Sequence, residues 1–180
     1  MSSKSTKKTT AVSNADAVDR IVDGWRRQLK GFDDLPLRVF GRMNRVSRLL
    51  ELNLKTFFES HGISISDYDL LAALYRRGTP YRAKPSEIAK TSLLTSAGVT
   101  LRVDRLVEAK YVERFHDKLD RRIVQVGLTN QGLKLIKSLA VVHTKRERRM
   151  LEILSSDERQ ILESAFRKLE NYLLIPDWPD

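Results

Sequence analysis

The side chains of this sequence best suited to chemistry are cations gathered in one part of the chain. Residues 76–145 hold 15 Lys and Arg against 6 Asp and Glu, a net charge of +9, while the formal net charge of all 180 residues is +10. A concentrated cationic surface binds polyanions, because the release of counterions from nucleic acid supplies much of the affinity. The pattern therefore predicts nucleic-acid binding, and the alternative is a solvated basic face without a partner.

Other kinds of chemistry find little support in the residue types. The absence of Cys excludes disulfides and thiolate metal sites, and the three histidines, His61, His116 and His143, lack the spacing of a metal-binding pair. We find no nucleophile with a nearby base and no Gly-rich phosphate loop, so an enzyme is the remote alternative, and we expect no metal and no cofactor. No apolar run approaches the roughly 18 residues of a membrane span, and the N-terminus lacks a secretion signal, so we expect a soluble cytoplasmic protein without a membrane partner.

A helix predicted from about Thr95 to Ala109 is the element best placed to enter a DNA groove. At about 100° per residue, Val99, Val103 and Leu106 fall on one side, which we expect to pack against the core. Hydroxyl groups at the N-terminal end reach phosphates, and outward side chains reach base edges. The predicted DNA contacts of this helix are Thr95, Ser96, Thr100, Leu101 and Arg105.

A charged hairpin follows the groove helix. Two strands, at 111–115 and 122–128, flank a polar tip, which is the pattern of a wing. Arg121 and Arg122 are predicted to enter the adjacent minor groove, where narrow A·T tracts attract guanidinium groups. The alternative for one of these arginines is a brace on Asp117 or Asp120 within the turn.

The elements that must position these residues are mostly helices. Capping residues, glycines and apolar periodicity predict a single domain of the mainly α class, with a small β-hairpin wing after a helix-turn-helix. We divide the chain into a flexible basic leader (1–13), N-terminal helices (14–62), a DNA-binding lobe (63–128) and C-terminal helices (129–180). The predicted helices besides the groove helix run from Asn14 to Lys30, Pro36 to His61, Ser66 to Arg77, Pro85 to Lys90 and Thr129 to Ile153, with a last helix beginning at Ser155. Asn14 and Thr129 are the expected caps of their helices, and Ser155 is expected to form a capping box with Glu158. The first helix carries an apolar stripe of Val18, Val22, Trp25 and Leu29, and the second carries one of Phe40, Met43, Val46, Leu50, Leu54 and Phe57.

Four sequence fragments carry a resemblance to a known family. Together they are similar, in order and spacing, to the MarR family of winged-helix transcription regulators. The resemblance implies an obligate homodimer, built from N- and C-terminal helices, that reads a pseudo-palindromic operator in double-stranded DNA. The fragments are Pro85 to Ala89, Ser96 to Leu106, Asp120 to Arg122 and Leu128 to Gly132.

Within that family the chain resembles the urate-responsive subgroup, the PecS-like and HucR-like repressors. An amphipathic helix bearing Trp25 precedes the usual start of the family, and three more fragments match the subgroup: Arg45 to Leu50, Tyr68 to Leu74 and Gly78 to Tyr81. The resemblance implies a repressor that leaves its operator on binding a small anionic aromatic ligand, most favourably urate. By position it assigns the ligand residues to Trp25, Asp69, Arg102 and Arg114.

The physics of these four residues leaves alternatives open. Arg102 lies about 60° from Val99 on the helix, so it can turn inward, where Asp69 would neutralise it until an anionic ligand crowds that carboxylate. Asp69 also fits a capping box with Ser66, Trp25 fits core or dimer packing, and Arg114 could pair with neighbouring residues or phosphate. Two further functions stay open: a regulator that responds to phenolic or other aromatic carboxylates, and a non-specific architectural DNA-binding protein.

Overall fold

The computed structural model of the protein describes residues 15–92, 94–116 and 124–175, with the backbone alone at position 96. Contacts within the chain divide it into two compact units, with the boundary in the sequence between Ile63 and Ser64. Within the described ranges, the elements in chain order are α1 (Ala17–Gln28), α2 (Leu35–Glu59), α3 (Ile65–Arg76), β1 (Arg82–Ala83), α4 (Pro85–Thr91), α5 (Ser96–Glu108), β2 (Val112–His116), β3 (Val124–Leu128), α6 (Asn130–Leu151) and α7 (Ser156–Leu173).

In the first unit, α1 begins with a capping box. The Asp16 carboxylate accepts hydrogen bonds from the N–H groups of Val18 and Asp19, and the Asp19 carboxylate accepts one from the N–H of Asp16. The expectation that Asn14 caps this helix is wrong, because Asp16 caps it two residues later. The backbone N–H of Asp19 lowers the pKa of Asp16, and the Arg42 side chain lowers the pKa of Asp19, so these contacts favour the charged form of both carboxylates.

Helices α1 and α2 of the first unit join through a mixed contact. Arg42 of α2 donates from Nε to Asp16 at 3.0 Å and from Nη2 to Asp19 at 2.5 Å. Beside this pairing, Val18 and Val22 of α1 are buried. The remaining members of the predicted α1 stripe, Trp25 and Leu29, are half exposed in the single chain.

The apolar stripe predicted along α2 is also mostly uncovered in the single chain. Of its described members, Phe57 is buried, whereas Phe40, Val46 and Leu50 are exposed. An apolar stripe at helical spacing usually packs against another surface, and an exposed stripe of this kind marks an interaction surface.

The second unit holds the larger core. Helices α3, α4, α5 and α6 and the sheet surround it, and α3 lies at its centre, with contacts to α4, α5, α6 and β3. The larger buried apolar residues of these elements are Leu70, Leu71, Leu74, Ile88, Val99, Val103, Leu106, Val112, Val126, Ile136 and Leu139.

A three-stranded antiparallel sheet replaces the predicted two-stranded hairpin. Strands β2 and β3 pair as expected, and β1 adds a third strand on the far side of β3, giving the order β1-β3-β2. The Arg82 guanidinium of β1 lies 3.3 Å from the centroid of the Phe115 ring, across β3. Gly127 of β3 leaves room for this stack, because a Cβ there would lie 2.6 Å from the Arg82 side chain and 2.8 Å from the Phe115 ring.

The N-cap of α3 is Ser64, two residues before the expected cap, Ser66. Ser64 and Asp67 form the capping box, with Ser64 N–H donating to Asp67 Oδ2 at 2.8 Å and Asp67 N–H donating to Ser64 Oγ at 3.1 Å. The alternative that Ser66 and Asp69 form this box is therefore wrong. The two pairs have the same spacing, so the sequence alone could not separate them.

The start of α6 is anchored to the end of α5 through a polar contact. The Thr129 hydroxyl donates to the carbonyl of Lys110 at 2.7 Å and accepts the N–H of Gly132 at 3.0 Å, while Thr129 N–H donates to the Tyr111 carbonyl at 3.1 Å. This confirms Thr129 as the cap of α6. Gly132 is required at this approach because a Cβ there would overlap the Tyr111 carbonyl oxygen.

The last helix, α7, opens with the expected capping box of Ser155 and Glu158. It has no buried residue, and large apolar side chains such as Ile161 and Phe166 are exposed along it. None of the helices in the described part of the chain is long and apolar enough to cross a membrane.

The α6 anchor predicts that Gly132→Ala destabilises the protein although alanine favours helices. The added methyl meets a backbone atom that cannot move freely, so we expect a loss of about 1 to 3 kcal/mol in the free energy of unfolding. The matched control is Gly24→Ala in α1, where the nearest heavy atom to a Cβ lies 4.0 Å away, and we expect a gain of about 0.5 to 1 kcal/mol. Chemical denaturation measures both, and equal effects would contradict the close approach.

Candidate nucleic-acid interface and ligand residues

Helices α4 and α5 form the predicted helix-turn-helix. The Thr95 hydroxyl caps α5 by accepting the N–H of Gly98 at 3.1 Å, and it thereby sets where the helix begins. The expected packing face is confirmed, because Val99, Val103 and Leu106 are all buried.

The opposite face of α5 is exposed. Leu101 keeps 64% of its surface accessible, and Thr95, Thr100 and Arg105 are also exposed. The remaining predicted DNA contacts, the Ser96 side chain and both wing arginines, Arg121 and Arg122, lie outside the described residues. The described exposed side of α5 therefore presents hydroxyls, one large apolar side chain, the Arg105 cation and the Asp104 carboxylate to solvent.

A buried carboxylate that sequence reasoning missed lies behind this face. Asp67, at the start of α3, is 1% exposed through its side chain. Arg105 Nε lies 3.4 Å from its Oδ2, and Arg102 Nη1 lies 4.0 Å from its Oδ1. Arg102 was expected to turn inward with Asp69 as its anion, and the structure shows Asp67 as an anion beside it. The spacing of Arg102 and Arg105, three residues apart on one helix, was the available indication of a shared partner.

Arg114 of β2 forms an ion pair with Asp104 of α5. Both side chains are exposed to a substantial extent, so the pair contributes little to stability by itself. Its position is informative, because it connects the wing to the exposed side of the groove helix. The partner of Arg114 is therefore a carboxylate of α5.

The other two predicted ligand residues are placed in different units. Trp25 belongs to the first unit, where its half-exposed indole stacks on Phe32 with ring centroids 5.5 Å apart. Asp69 is partly buried on α3 in the second unit. Burial and the Glu147 carboxylate raise the pKa of the Tyr68 hydroxyl, and the Asp69 carboxylate raises it further.

Nowhere in the described ranges do three His, Asp or Glu side chains come together as a metal site. A helix-turn-helix followed by a paired strand hairpin, with a second helix whose inner face is buried and whose outer face is exposed, defines a winged-helix DNA-binding protein.

Comparisons with known proteins agree with this class. The sequence profile of the MarR family matches residues 61–123. The chain is 34% identical to the HTH-type transcriptional regulator PecS of Dickeya dadantii over 87% of its own length and 95% of that protein. The chain belongs to the MarR family of winged-helix transcription regulators.

Solved structures share the fold. AbsC, a MarR family transcriptional regulator from Streptomyces coelicolor, superposes with a TM-score of 0.70 at 23% identity, covering 81% of this chain and 98% of AbsC. Bordetella bronchiseptica BpsR, whose DNA binding is regulated by 6-hydroxynicotinic acid, superposes with a TM-score of 0.62 at 21% identity, covering 72% of this chain and 91% of BpsR.

A Leu→Ala substitution should affect the free energy of unfolding very differently on the two faces of α5. Leu106→Ala should lower the free energy of unfolding by about 2 to 5 kcal/mol, because it opens a cavity in the core. Leu101→Ala removes the same atoms from the exposed face, and its effect should stay within about 0.5 kcal/mol. Thermal or chemical denaturation decides the matter, and a comparable loss for both variants would mean that α5 is rotated from the orientation described.

Proposed function

We propose that this DNA-binding transcription regulator is a dimeric repressor, released from a pseudo-palindromic operator by a small anionic aromatic ligand, with urate as the ligand. The observation that carries the proposal is the two-sided α5, whose inner face is buried and whose outer face exposes Arg105 within the most basic part of the chain. A helix held in this way presents a fixed set of side chains to a major groove.

The dimer rests on apolar surface that the single chain leaves exposed. Such residues occur in both units, on α1 and α2 in one and on α6 and α7 in the other, and surface of this kind marks an interface. The exposed large apolar residues of these helices include Ile21, Val39, Val46, Leu49, Val141, Val142, Ile161, Phe166 and Tyr172.

Dimer symmetry supports the pseudo-palindromic operator. Two recognition helices related by a two-fold axis read half-sites about 34 Å apart, one turn of B-DNA. We assign the contacts to Thr95, Ser96, Thr100, Leu101 and Arg105 on α5 and to Arg121 and Arg122 on the wing. The hydroxyls and arginines bind phosphates or base edges, and Leu101 offers an apolar contact to a thymine methyl.

The ligand proposal rests on two arginines near the groove helix. Arg102 is 27% exposed and Arg114 is 40% exposed, so each is partly sheltered and held by a carboxylate, Asp67 and Asp104 respectively. An anionic purine offers planar acceptors that suit guanidinium groups, and the half-exposed indole of Trp25 offers an aromatic face for stacking. We propose that Trp25, Asp69, Arg102 and Arg114 bind the ligand and that the Asp69 carboxylate is repelled by it.

A second ligand class has an observation of its own in its favour. BpsR, which shares this fold, is regulated by 6-hydroxynicotinic acid, an aromatic carboxylate. A regulator of this type would need the arginines but not the indole of Trp25. The similarity to PecS over most of the chain favours the urate-responsive type for the primary proposal.

The primary experiment is a mobility shift on the DNA upstream of the protein's own gene, with a scrambled duplex at the same ionic strength. We expect tight, selective binding, and about a fivefold to hundredfold loss of affinity on addition of urate, as is typical for allosteric coupling. Salicylate and 6-hydroxynicotinate serve as aromatic carboxylate controls. Release by these acids alone would replace urate with the second ligand class, and equal binding to both duplexes would indicate an architectural protein.

Trp25→Phe tests the indole platform. The substitution keeps an aromatic ring that can stack on Phe32 but reduces the face available to a purine, so it should blunt urate-driven release while leaving operator affinity unchanged. The matched control is Trp178→Phe, which alters the other tryptophan of the chain. Mobility shifts and urate titrations of both variants give the comparison. Loss of the dimer in Trp25→Phe, seen by sedimentation, would assign Trp25 to packing instead.

A further inference from the structure

We propose that Asp67 is a positioning residue for DNA recognition, which orients the Arg105 guanidinium before DNA arrives. The proposal rests on one part of the proposed function, namely that Arg105 contacts the operator. Asp67 itself is buried and lies on α3, so it acts through Arg105 and not by touching DNA.

The Asp67 carboxylate is held in place from its own helix. Its Oδ2 accepts the N–H of Ser64 at 2.8 Å, and the start of α3 favours a negative charge there through the helix dipole. Since its side chain is 1% exposed, it lacks the freedom of a surface carboxylate. Asp67 is therefore a fixed anion, and α3, which carries it, is the central helix of its unit.

Two cations one helical turn apart face this anion. Arg102 Nη1 lies 4.0 Å from Oδ1, and Arg105 Nε lies 3.4 Å from Oδ2. Within the described part of the chain, Oδ1 accepts no hydrogen bond, so this oxygen depends on electrostatic compensation. The burial of a charge is costly unless cations neutralise it, and both arginines of α5 contribute here.

The two arginines differ in how much of the side chain is exposed to a binding partner. Arg102 is 27% exposed, whereas Arg105 is 54% exposed on the groove-facing side of α5. A guanidinium has five N–H donors, and the contact of Arg105 with Asp67 is through its Nε, so the donors on the two Nη atoms can serve a second acceptor. The bidentate contact of arginine with a guanine edge or a phosphate is made by a planar fork of this kind.

The consequence is preorganisation. A free arginine side chain loses rotamer freedom when it is fixed against a base, and an arginine already held at its Nε loses less. Asp67 should therefore affect operator binding more than binding to random duplex, because base-edge contacts need a defined orientation and phosphate contacts tolerate several.

The test compares Asp67→Asn with Ser64→Ala. Asparagine keeps the size of the side chain and an oxygen for the Ser64 N–H but removes the charge that faces the arginines. Ser64→Ala removes the other half of the capping box, the hydroxyl that accepts the Asp67 N–H, and leaves the carboxylate in place. Both variants are measured by circular dichroism and by mobility shifts on the upstream duplex and a scrambled duplex at fixed ionic strength.

We expect Asp67→Asn to lower the ratio of operator to scrambled affinity by about five- to tenfold, within the range for one specific base contact. Ser64→Ala should lower the melting temperature and leave that ratio unchanged. A double-mutant cycle with Arg105→Ala completes the test: if Asp67 acts through Arg105, then Asp67→Asn has no further effect on the ratio in that background.

The outcomes separate this proposal from the proposed function. A wild-type protein that fails to discriminate between the duplexes refutes the operator and with it both proposals. A discriminating wild type whose ratio is unchanged by Asp67→Asn overturns only the role of Asp67. Tighter operator binding by Asp67→Asn would show that Asp67 competes with DNA for Arg105, and a failure of Asp67→Asn to fold would make its role structural. Either result overturns the positioning role.

Discussion

The burial of one face of α5 is the constraint on which the DNA-binding surface depends. With Val99, Val103 and Leu106 in the core, the rotation of the helix about its axis is set, because successive residues advance by about 100°. The exposure of Leu101 and Arg105 then follows from geometry. The composition of the outward face is therefore determined by where the apolar residues stand, and a one-residue shift of that stripe would present a different face to DNA.

Polar contacts fix the two ends of α5 and connect it to the wing. The Thr95 cap defines the first turn of α5, and the Thr129 contacts with Lys110 and Tyr111 hold the segment that follows the helix. The pair between Arg114 and Asp104 connects α5 to the wing. These contacts differ in strength from the core beneath them: opening a core site costs about 2 to 5 kcal/mol, while an exposed ion pair contributes about 0 to 1 kcal/mol. Ligand coupling of about 1 to 3 kcal/mol is enough to rearrange the ion pairs and too small to unpack the core, so the proposed release would act through the charged contacts.

Sequence periodicity predicted what is local and missed what depends on distant partners. The helices, the hairpin and the inner face of α5 follow from patterns spanning a few residues, and the structure confirms them. Strand β1 has two residues and pairs with β3 about 45 positions away, so no local pattern revealed it. The segment Ser64 to Asp69 contains two equivalent capping boxes, and tertiary contacts of Asp67 with α5 distinguish them. The stripe of α2 was recognised, but most of it is exposed in the single chain, and a local pattern does not reveal what covers it.

Asp67 also suggests how one helix could serve two binding events. Arg102 and Arg105 share its carboxylate, but Arg102 belongs to the proposed ligand set and Arg105 to the proposed DNA surface. An anionic ligand on Arg102 would place a second negative charge beside a buried carboxylate that already lacks a hydrogen bond on Oδ1. The like charges would repel, and the contact most easily given up is the one to Arg105, whose side chain is more exposed and reaches solvent directly. In this mechanism the ligand would act on the orientation of one DNA-reading side chain through a shared anion, and α5 itself would need to move little.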